Sequence, residues 1–151
     1  MTMGSETSKA RILLVEDNPG DVDLLRLALR KAELDCELTV LDDGAEALAL
    51  VRQQGKYADA PAPDLAVLDL NVPKYDGVEI LEAMRANPAF AEVRVAVLSS
   101  SSSPRERANI EKFHVSRYIT KPLDLDEFLA IGLILKELLL DGARRGIWSG
   151  A

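Results

Sequence analysis

Short apolar runs alternate with longer amphipathic stretches along the chain, and this alternation predicts its secondary structure. Each run is followed by a turn and then by apolar residues at helical spacing, as in the stripe of Leu25, Ala28, Leu29 and Ala32 after the first run. Continuous apolar runs are typical of strands that are buried on both faces of a sheet. The predicted strands are Arg11–Val15, Glu37–Leu41, Leu65–Leu68, Val93–Leu98 and Arg117–Thr120.

Helix-start signals follow several of these runs. Asn18 can cap a helix whose first position is Pro19, because its side chain can accept from amides of the first turn. Ser103 precedes Pro104 and stands three residues before Glu106, which is a capping-box pattern with proline at the first helical position. Further helices are predicted at Ala45–Gln54, at Val78–Ala86 and as one long final helix opened by Asp124 and Glu127.

Strand and helix alternate five times, which is typical of an α/β protein with a parallel sheet. Right-handed crossovers then place helices on both faces of the sheet and give three layers. The 151 residues are enough for one domain with its own core and too few for two. We expect a flexible N-terminus at residues 1–10, one domain at residues 11–140 and a short tail at residues 141–151.

Composition limits the expected partners and location. The net charge of −7 argues against a nucleic-acid-binding surface, which is normally basic. No apolar stretch approaches the roughly 18 residues of a membrane span, and the N-terminus lacks the apolar segment of a secretory signal. The one cysteine, Cys36, suits a reducing compartment. We therefore expect a cytoplasmic protein that binds neither nucleic acid nor membrane.

Polar residues stand just past four of the predicted strands. Ligands of an open parallel sheet bind outside the carboxyl ends of its strands, so these side chains are expected to meet. Carboxylates held close together repel one another unless a cation lies among them, and oxygen ligands favour Mg²⁺. The residues are Glu16, Asp17, Asp69, Ser99 and Lys121.

A site of this kind is suited to phosphoryl transfer, which depends on positioning and charge neutralisation. In this interpretation Asp69 is the nucleophile and forms an aspartyl phosphate. Lys121, the Ser99 hydroxyl and Mg²⁺ then take the charge on the phosphoryl oxygens. Any one of these residues alone has an ordinary explanation as a solvated loop group, so the hypothesis depends on their joint placement.

Three motifs resemble the receiver domain of two-component response regulators. They are Leu13–Asn18, Asp69–Pro73 with Asp76-Gly77, and Tyr118–Pro122. The resemblance spans about Arg11 to Leu139 and implies a flavodoxin-like (βα)5 fold with strand order 2-1-3-4-5. It also implies a signalling protein that accepts a phosphoryl group from a sensor histidine kinase, rather than an enzyme that turns over a substrate.

The resemblance also implies roles for individual residues. Asp69 is the implied phospho-acceptor, and Lys121 is implied to contact the phosphoryl group, aimed inward by a cis peptide bond to Pro122. The implied Mg²⁺ ligands are Glu16, Asp17, Asp69 and the main-chain carbonyl of Asn71.

Two hydroxyl-bearing residues form the implied switch. On phosphorylation Ser99 is expected to move inward, and Tyr118 then turns from an outer to an inner position, which shifts the balance of two pre-existing states. Within the family, Asn18–Asp21 followed by Leu24-Leu25, together with Leu70–Lys74, resemble single-domain regulators that serve phytochrome-type kinases. We therefore expect a phytochrome-type sensor histidine kinase as the partner.

The predicted final helix carries more apolar residues than one buried stripe needs, among them Leu133, Leu138 and Leu140. A second apolar face predicts an interface, most simply a homodimer formed through the last strand and helix. The alternative is that the tail folds back over this face with Trp148 as its anchor.

Two rival functions remain at this point. A haloacid-dehalogenase-like phosphatase also combines an aspartate nucleophile with a serine or threonine, a lysine and Mg²⁺. That family needs a nucleophile on the first strand and a second aspartate two residues later, where this chain has Asn71. A receiver that only binds partners is the other rival, and Asp69→Asn in a kinase-coupled assay separates it from a phospho-acceptor.

Overall fold

Five parallel strands form a sheet in the computed structural model of the protein, which describes residues 9–71, 77–101 and 103–144. The strands are β1 Ala10–Val15, β2 Cys36–Leu41, β3 Leu65–Asp69, β4 Arg94–Ser99 and β5 Arg117–Thr120. Their order in the sheet is β2-β1-β3-β4-β5, which confirms the predicted flavodoxin-like order. Every neighbouring pair is parallel, so all the carboxyl ends lie at the same edge.

Helices connect the strands and cover both faces of the sheet. The helices are α1 Pro19–Lys31, α2 Gly44–Val51, α3 Gly77–Ala86, α4 Pro104–Glu111, α5 Leu125–Leu129 and α6 Ile131–Arg144. Buried side chains of α2, α3 and α4 form a core against one face, and those of α1, α5 and α6 form a core against the other. All the residues of β3 are buried.

Two predicted helix starts are confirmed by their caps. The Asn18 side chain accepts from the amides of Gly20 and Asp21 at 2.9 Å and 3.3 Å. Ser103 Oγ accepts from the amide of Glu106 at 3.4 Å. Both caps lie just past the carboxyl ends of β1 and β4, so the first turns of α1 and α4 border the edge where the site is predicted.

The prediction of one long final helix is wrong, because the chain is divided at Ala130. The amide of Leu133 donates to the carbonyl of Ala130 at 3.1 Å, a three-residue spacing that tightens the backbone as in a 3₁₀ turn. Just after this point α6 approaches α1 closely. A Cβ placed on Gly132 would lie 2.2 Å from the carbonyl oxygen of Ala28, so only glycine fits there.

Apolar side chains remain exposed on the last elements. Leu133 is 57% exposed and Leu140 is 49% exposed, so α6 does carry apolar residues outside its buried stripe. Trp148 and residues 1–8 lie outside the described residues, so tail packing and the flexible N-terminus stay predictions. Among residues 9–71, 77–101 and 103–144, no helix has the length and apolar character needed to cross a membrane.

Gly132→Ala is expected to destabilise the protein by about 1–3 kcal/mol, as overpacking typically does. The new methyl group would meet a backbone oxygen, which cannot move aside as a side chain can, and this outweighs a gain in helix propensity of about 1 kcal/mol. Urea unfolding measures the effect, with Glu137→Ala at an exposed position of the same helix as the control. A Gly132→Ala midpoint at or above that of the native chain would contradict the close approach.

Candidate functional site

Lys121, just past β5, meets carboxylates from distant parts of the chain at the carboxyl edge of the sheet. Its Nζ lies 2.9 Å from Glu16 Oε1, which follows β1, although the two residues are 105 positions apart in sequence. It also lies 3.0 Å from Oδ2 of Asp69, the last residue of β3. The parallel order of the central strands therefore assembles these predicted site residues around one ammonium group.

Three carboxylates lie close enough to share one cation. One oxygen each from Glu16, Asp17 and Asp69 lies within 4.8 Å of the others. Glu16 and Asp69 are 0% and 3% exposed, whereas Asp17 is exposed and leaves one side of the cluster open to solvent. A donor set made only of oxygens with an open side fits a hard divalent cation that keeps part of its water shell.

Burial and crowding change the proton affinities of the site. Burial, together with the hydrogen bond to Asp69, raises the pKa of Glu16 from 4.5 to about 7, although Lys121 acts against this. Burial acts to lower the pKa of Lys121, but its hydrogen bonds to Asp21, Glu16 and Asp69 outweigh this and raise it. The lysine therefore keeps its charge, while an ionised Glu16 calls for further positive charge nearby.

Asp21 is a site residue that the sequence analysis did not assign. Its Oδ2 lies 2.8 Å from Lys121 Nζ, which is as close as either of the predicted carboxylates. The side chain of Asn18 accepts a hydrogen bond from the amide of Asp21, which fixes the first turn of α1 beside the end of β1. The available sequence signal was an acidic residue in the first turn of a helix that begins at the carboxyl edge.

The loop after β3 orients the Asp69 carboxylate. The amide of Asn71 donates to Asp69 Oδ1 at 2.9 Å. The Asn71 side-chain oxygen accepts from the amide and hydroxyl of Ser100 at 3.2 Å and 3.1 Å, which ties this loop to the loop after β4. Asn71 thus orients the Asp69 carboxylate through its backbone amide. The metal-binding role of its carbonyl, which the resemblance implies, stays a prediction.

The predicted cis bond between Lys121 and Pro122 is wrong. No peptide bond is cis in the part of the chain that the structure describes. The trans form of an X–Pro bond is preferred by about 0.5–1 kcal/mol. The three carboxylates hold the lysine side chain inward with the bond in this form.

The predicted switch residues share one acceptor on α4. Ser99 Oγ donates to Glu106 Oε1 at 2.6 Å, and the Tyr118 hydroxyl lies 2.5 Å from the same oxygen. Ser99 is fully buried and Tyr118 is half-buried. Burial and the hydrogen bond to Glu106 raise the pKa of Tyr118.

The predicted capping box at α4 is only half correct. Ser103 caps the helix, but its own amide donates to Ser101 Oγ at 3.1 Å and not to Glu106. The Glu106 side chain turns instead toward Ser99 and Tyr118. Two hydroxyl donors from neighbouring strands thus replace the local amide that the sequence pattern offered.

Comparison with known proteins agrees with this site. Residues 12–131 match the family described as the response regulator receiver domain. The chain is 40% identical to the response regulator Rcp1 of Synechocystis sp. over 116 residues. The aligned region covers 77% of this chain and 79% of that protein.

Two solved structures show the same fold. The phosphorylated cyanobacterial phytochrome response regulator RcpA has a TM-score of 0.81 and 38% identity, covering 88% of this chain and 95% of that chain. The Mn²⁺-bound form of Rcp1 has a TM-score of 0.75 and 37% identity, covering 82% of this chain and 88% of that chain. With the family match over most of its length and the acidic site at the edge of a 2-1-3-4-5 sheet, the chain belongs to the response regulator receiver family.

Proposed function

We propose that this protein is a signalling switch in which Asp69 accepts a phosphoryl group from a sensor histidine kinase. The observation that carries the proposal is the position of Asp69, 3.0 Å from Lys121 Nζ and beside the carboxylates of Glu16 and Asp17. A buried carboxylate beside an ammonium group and a cation site supplies the positioning and the charge neutralisation that phosphoryl transfer needs.

The two oxygens of Asp69 are held by different donors. The Asn71 amide binds Oδ1 and Lys121 binds Oδ2, which fixes the plane of the carboxylate. In the proposed reaction one of these oxygens forms a bond to phosphorus while the bond from phosphorus to the kinase histidine nitrogen breaks, and its electron pair returns to the imidazole. Lys121 is placed to exchange part of its carboxylate contacts for the transferred phosphoryl oxygens.

Mg²⁺ is the cofactor that we assign to the carboxylate cluster. The proposed ligands are Glu16, Asp17, Asp69 and the main-chain carbonyl of Asn71. Mg²⁺ bound there neutralises charge that the carboxylates and a phosphoryl group bring together. The oxygen-only donor set supports this choice over softer metals, and the relative Rcp1 has been solved with Mn²⁺.

The partner that we propose is a phytochrome-type kinase in the cytoplasm. The similarity to RcpA, which is named as a phytochrome response regulator, supports this choice. Phosphorylation of Asp69 is then transmitted by Ser99 and Tyr118 to a protein contact, or the phosphoryl group passes to a further protein. Signalling of this kind makes the protein a phospho-acceptor rather than an enzyme with a separate substrate.

The haloacid-dehalogenase-like alternative fits the structure poorly. Asp69 ends β3, in the middle of the sheet, rather than the first strand. The position two residues later is Asn71, whose side chain accepts from Ser100 and has no carboxyl group with which to act as acid and base.

We also propose that the protein forms a homodimer through β5 and the helices that follow it. Leu123 and Leu125 are 105% and 53% exposed, and they precede the exposed Leu133 and Leu140 of α6. Removing apolar surface from water stabilises an interface by about 25 cal/mol per Å². Leu123 lies in the loop between β5 and α5, Leu125 begins α5, and the other two leucines lie on α6. The four exposed side chains follow one another along the end of the described chain and support an interface there.

Incubation with acetyl phosphate and Mg²⁺ is expected to add one phosphoryl group to the native chain and none to Asp69→Asn, because the amide lacks the nucleophilic carboxylate. Intact mass measures the addition. Asp23→Asn, which changes an exposed acid on α1, is the matched control and is expected to react as the native chain does. Uptake by Asp69→Asn at the native rate would rule out Asp69 as the acceptor.

In buffer without divalent cations, the free energy of unfolding is expected to fall as the pH rises from about 4.5 to about 7. Glu16 has a raised pKa in the folded state, so the folded chain binds its proton more tightly, and this contribution is lost across that window. Glu16→Gln is expected to flatten this part of the curve, measured by urea unfolding at a series of pH values. Equal slopes in the native chain and Glu16→Gln would contradict the assignment.

Light scattering at high protein concentration is expected to give the mass of two chains. Replacing Leu133 and Leu140 together by glutamate is expected to give the mass of one chain, because charged side chains do not pack in an apolar interface. Glu137→Gln, at an exposed polar position on the same helix, is the control. A native mass of one chain, with and without a phosphoryl analogue, would exclude the dimer.

A further inference from the structure

Glu106 was not predicted from the sequence as a site residue. Both predicted switch residues, Ser99 and Tyr118, nevertheless form hydrogen bonds to its side chain. Ser99 lies at the end of β4, Tyr118 lies on β5, and Glu106 lies in the first turn of α4. Their hydroxyl groups are 2.6 Å and 2.5 Å from the same carboxylate oxygen, Glu106 Oε1. One acceptor therefore links three elements of the fold.

The hydrogen-bonding capacity of Ser99 is taken up on the α4 side. Its hydroxyl proton goes to Glu106, and its oxygen accepts from the amide of Ser101 at 3.0 Å. A serine hydroxyl has one proton to donate. While that proton is bound to Glu106, Ser99 cannot donate it to a group carried by Asp69.

Further contacts fix the positions of Glu106 and Tyr118. The amide of Glu106 is capped by Ser103, which fixes the start of α4. The Tyr118 hydroxyl also lies 3.0 Å from the carbonyl oxygen of Ser101, and the Arg107 guanidinium lies 5.1 Å from the centre of the tyrosine ring. Hydrogen bonds to a carboxylate are shorter and roughly twice as strong as those between neutral groups.

We propose that Glu106 is a positioning residue that holds the Ser99 proton on the α4 side, so that a phosphoryl group on Asp69 has to compete with the Glu106 carboxylate for that proton. The inference rests on the proposed role of Asp69 as phospho-acceptor. The competition is between two anions for one donor. A weaker acceptor at position 106 leaves the Ser99 proton more available to the phosphoryl group, because the Glu106 carboxylate stabilises only the arrangement in which Ser99 donates toward α4.

The test uses beryllofluoride, a phosphoryl analogue, with Mg²⁺ and the full chain. Glu106→Gln keeps the shape of the side chain and one acceptor oxygen but removes the charge. Its apparent affinity for beryllofluoride is expected to rise about tenfold, because a neutral hydrogen bond to the glutamine oxygen competes less strongly for the Ser99 proton than the charge-assisted one to the carboxylate. Glu111→Gln makes the same charge change at an exposed position on α4 and is expected to bind as the native chain does.

Glu106→Gln in a Ser99→Ala chain separates two effects of the Glu106 charge. One acts through the Ser99 hydroxyl, and the other is a general electrostatic effect on the bound anion. Without the Ser99 hydroxyl there is no proton to compete for, so Glu106→Gln is expected to change the affinity by less than about twofold. A tenfold gain in this background would overturn the proposal, as would unchanged affinity for Glu106→Gln in the native background.

A second measurement tests the hydrogen bond without any phosphoryl chemistry. A double-mutant cycle of urea unfolding with Glu106→Gln and Ser99→Ala is expected to be non-additive, and additive effects would overturn the proposal. Failure of the proposed function has a different signature, since the native chain would then bind no beryllofluoride. Native binding without a gain in Glu106→Gln overturns the role of Glu106 alone.

Discussion

The site depends on one ammonium group buried among several carboxylates. Removing an ionised carboxylate from water costs several kcal/mol, and Glu16 and Asp69 are almost completely buried. Lys121 offsets part of this cost by contacts of 3.0 Å or less to both of them and to Asp21. One positive charge cannot balance all of these groups together with Asp17, so the cluster keeps an excess of negative charge. This excess makes the edge of the sheet a place for a divalent cation.

Asp69 and Ser99, the proposed phospho-acceptor and the proposed switch residue, lie on opposite faces of the same sheet. Side chains alternate along β3 and β4, with Val67 in the core under α1, α5 and α6 and Val97 in the core under α2, α3 and α4. By this alternation Asp69 lies on the face covered by α1, α5 and α6, and Ser99 lies on the face covered by α2, α3 and α4. In the proposed switch, a change at Asp69 therefore has to reach α4 across the carboxyl edge, where Ser99 donates to Glu106.

Much of this protein could be predicted from its sequence, because the signals are local. Apolar runs predicted the five strands to within one residue at each end, and the Asn18 and Ser103 caps predicted where α1 and α4 begin. The alternation of elements required a parallel sheet, and the rule that ligands bind past strand ends then selected Glu16, Asp69 and Lys121. Each of these steps uses residues a few positions apart or a general property of parallel sheets.

Only the tertiary structure decided which of several available partners each polar group binds. The Glu106 side chain fits a local capping box, yet two hydroxyl groups on neighbouring strands bind it instead. Asp21 pairs with a lysine 100 positions away, and the chain divides at Ala130 where α6 approaches α1. Local propensity cannot rank these outcomes, because the competing donors and contacts come from segments that meet only when the sheet has formed. The sequence alone thus determined the strands and the chemical groups at the edge, and the packing of distant segments determined how those groups are paired and where the final helix is divided.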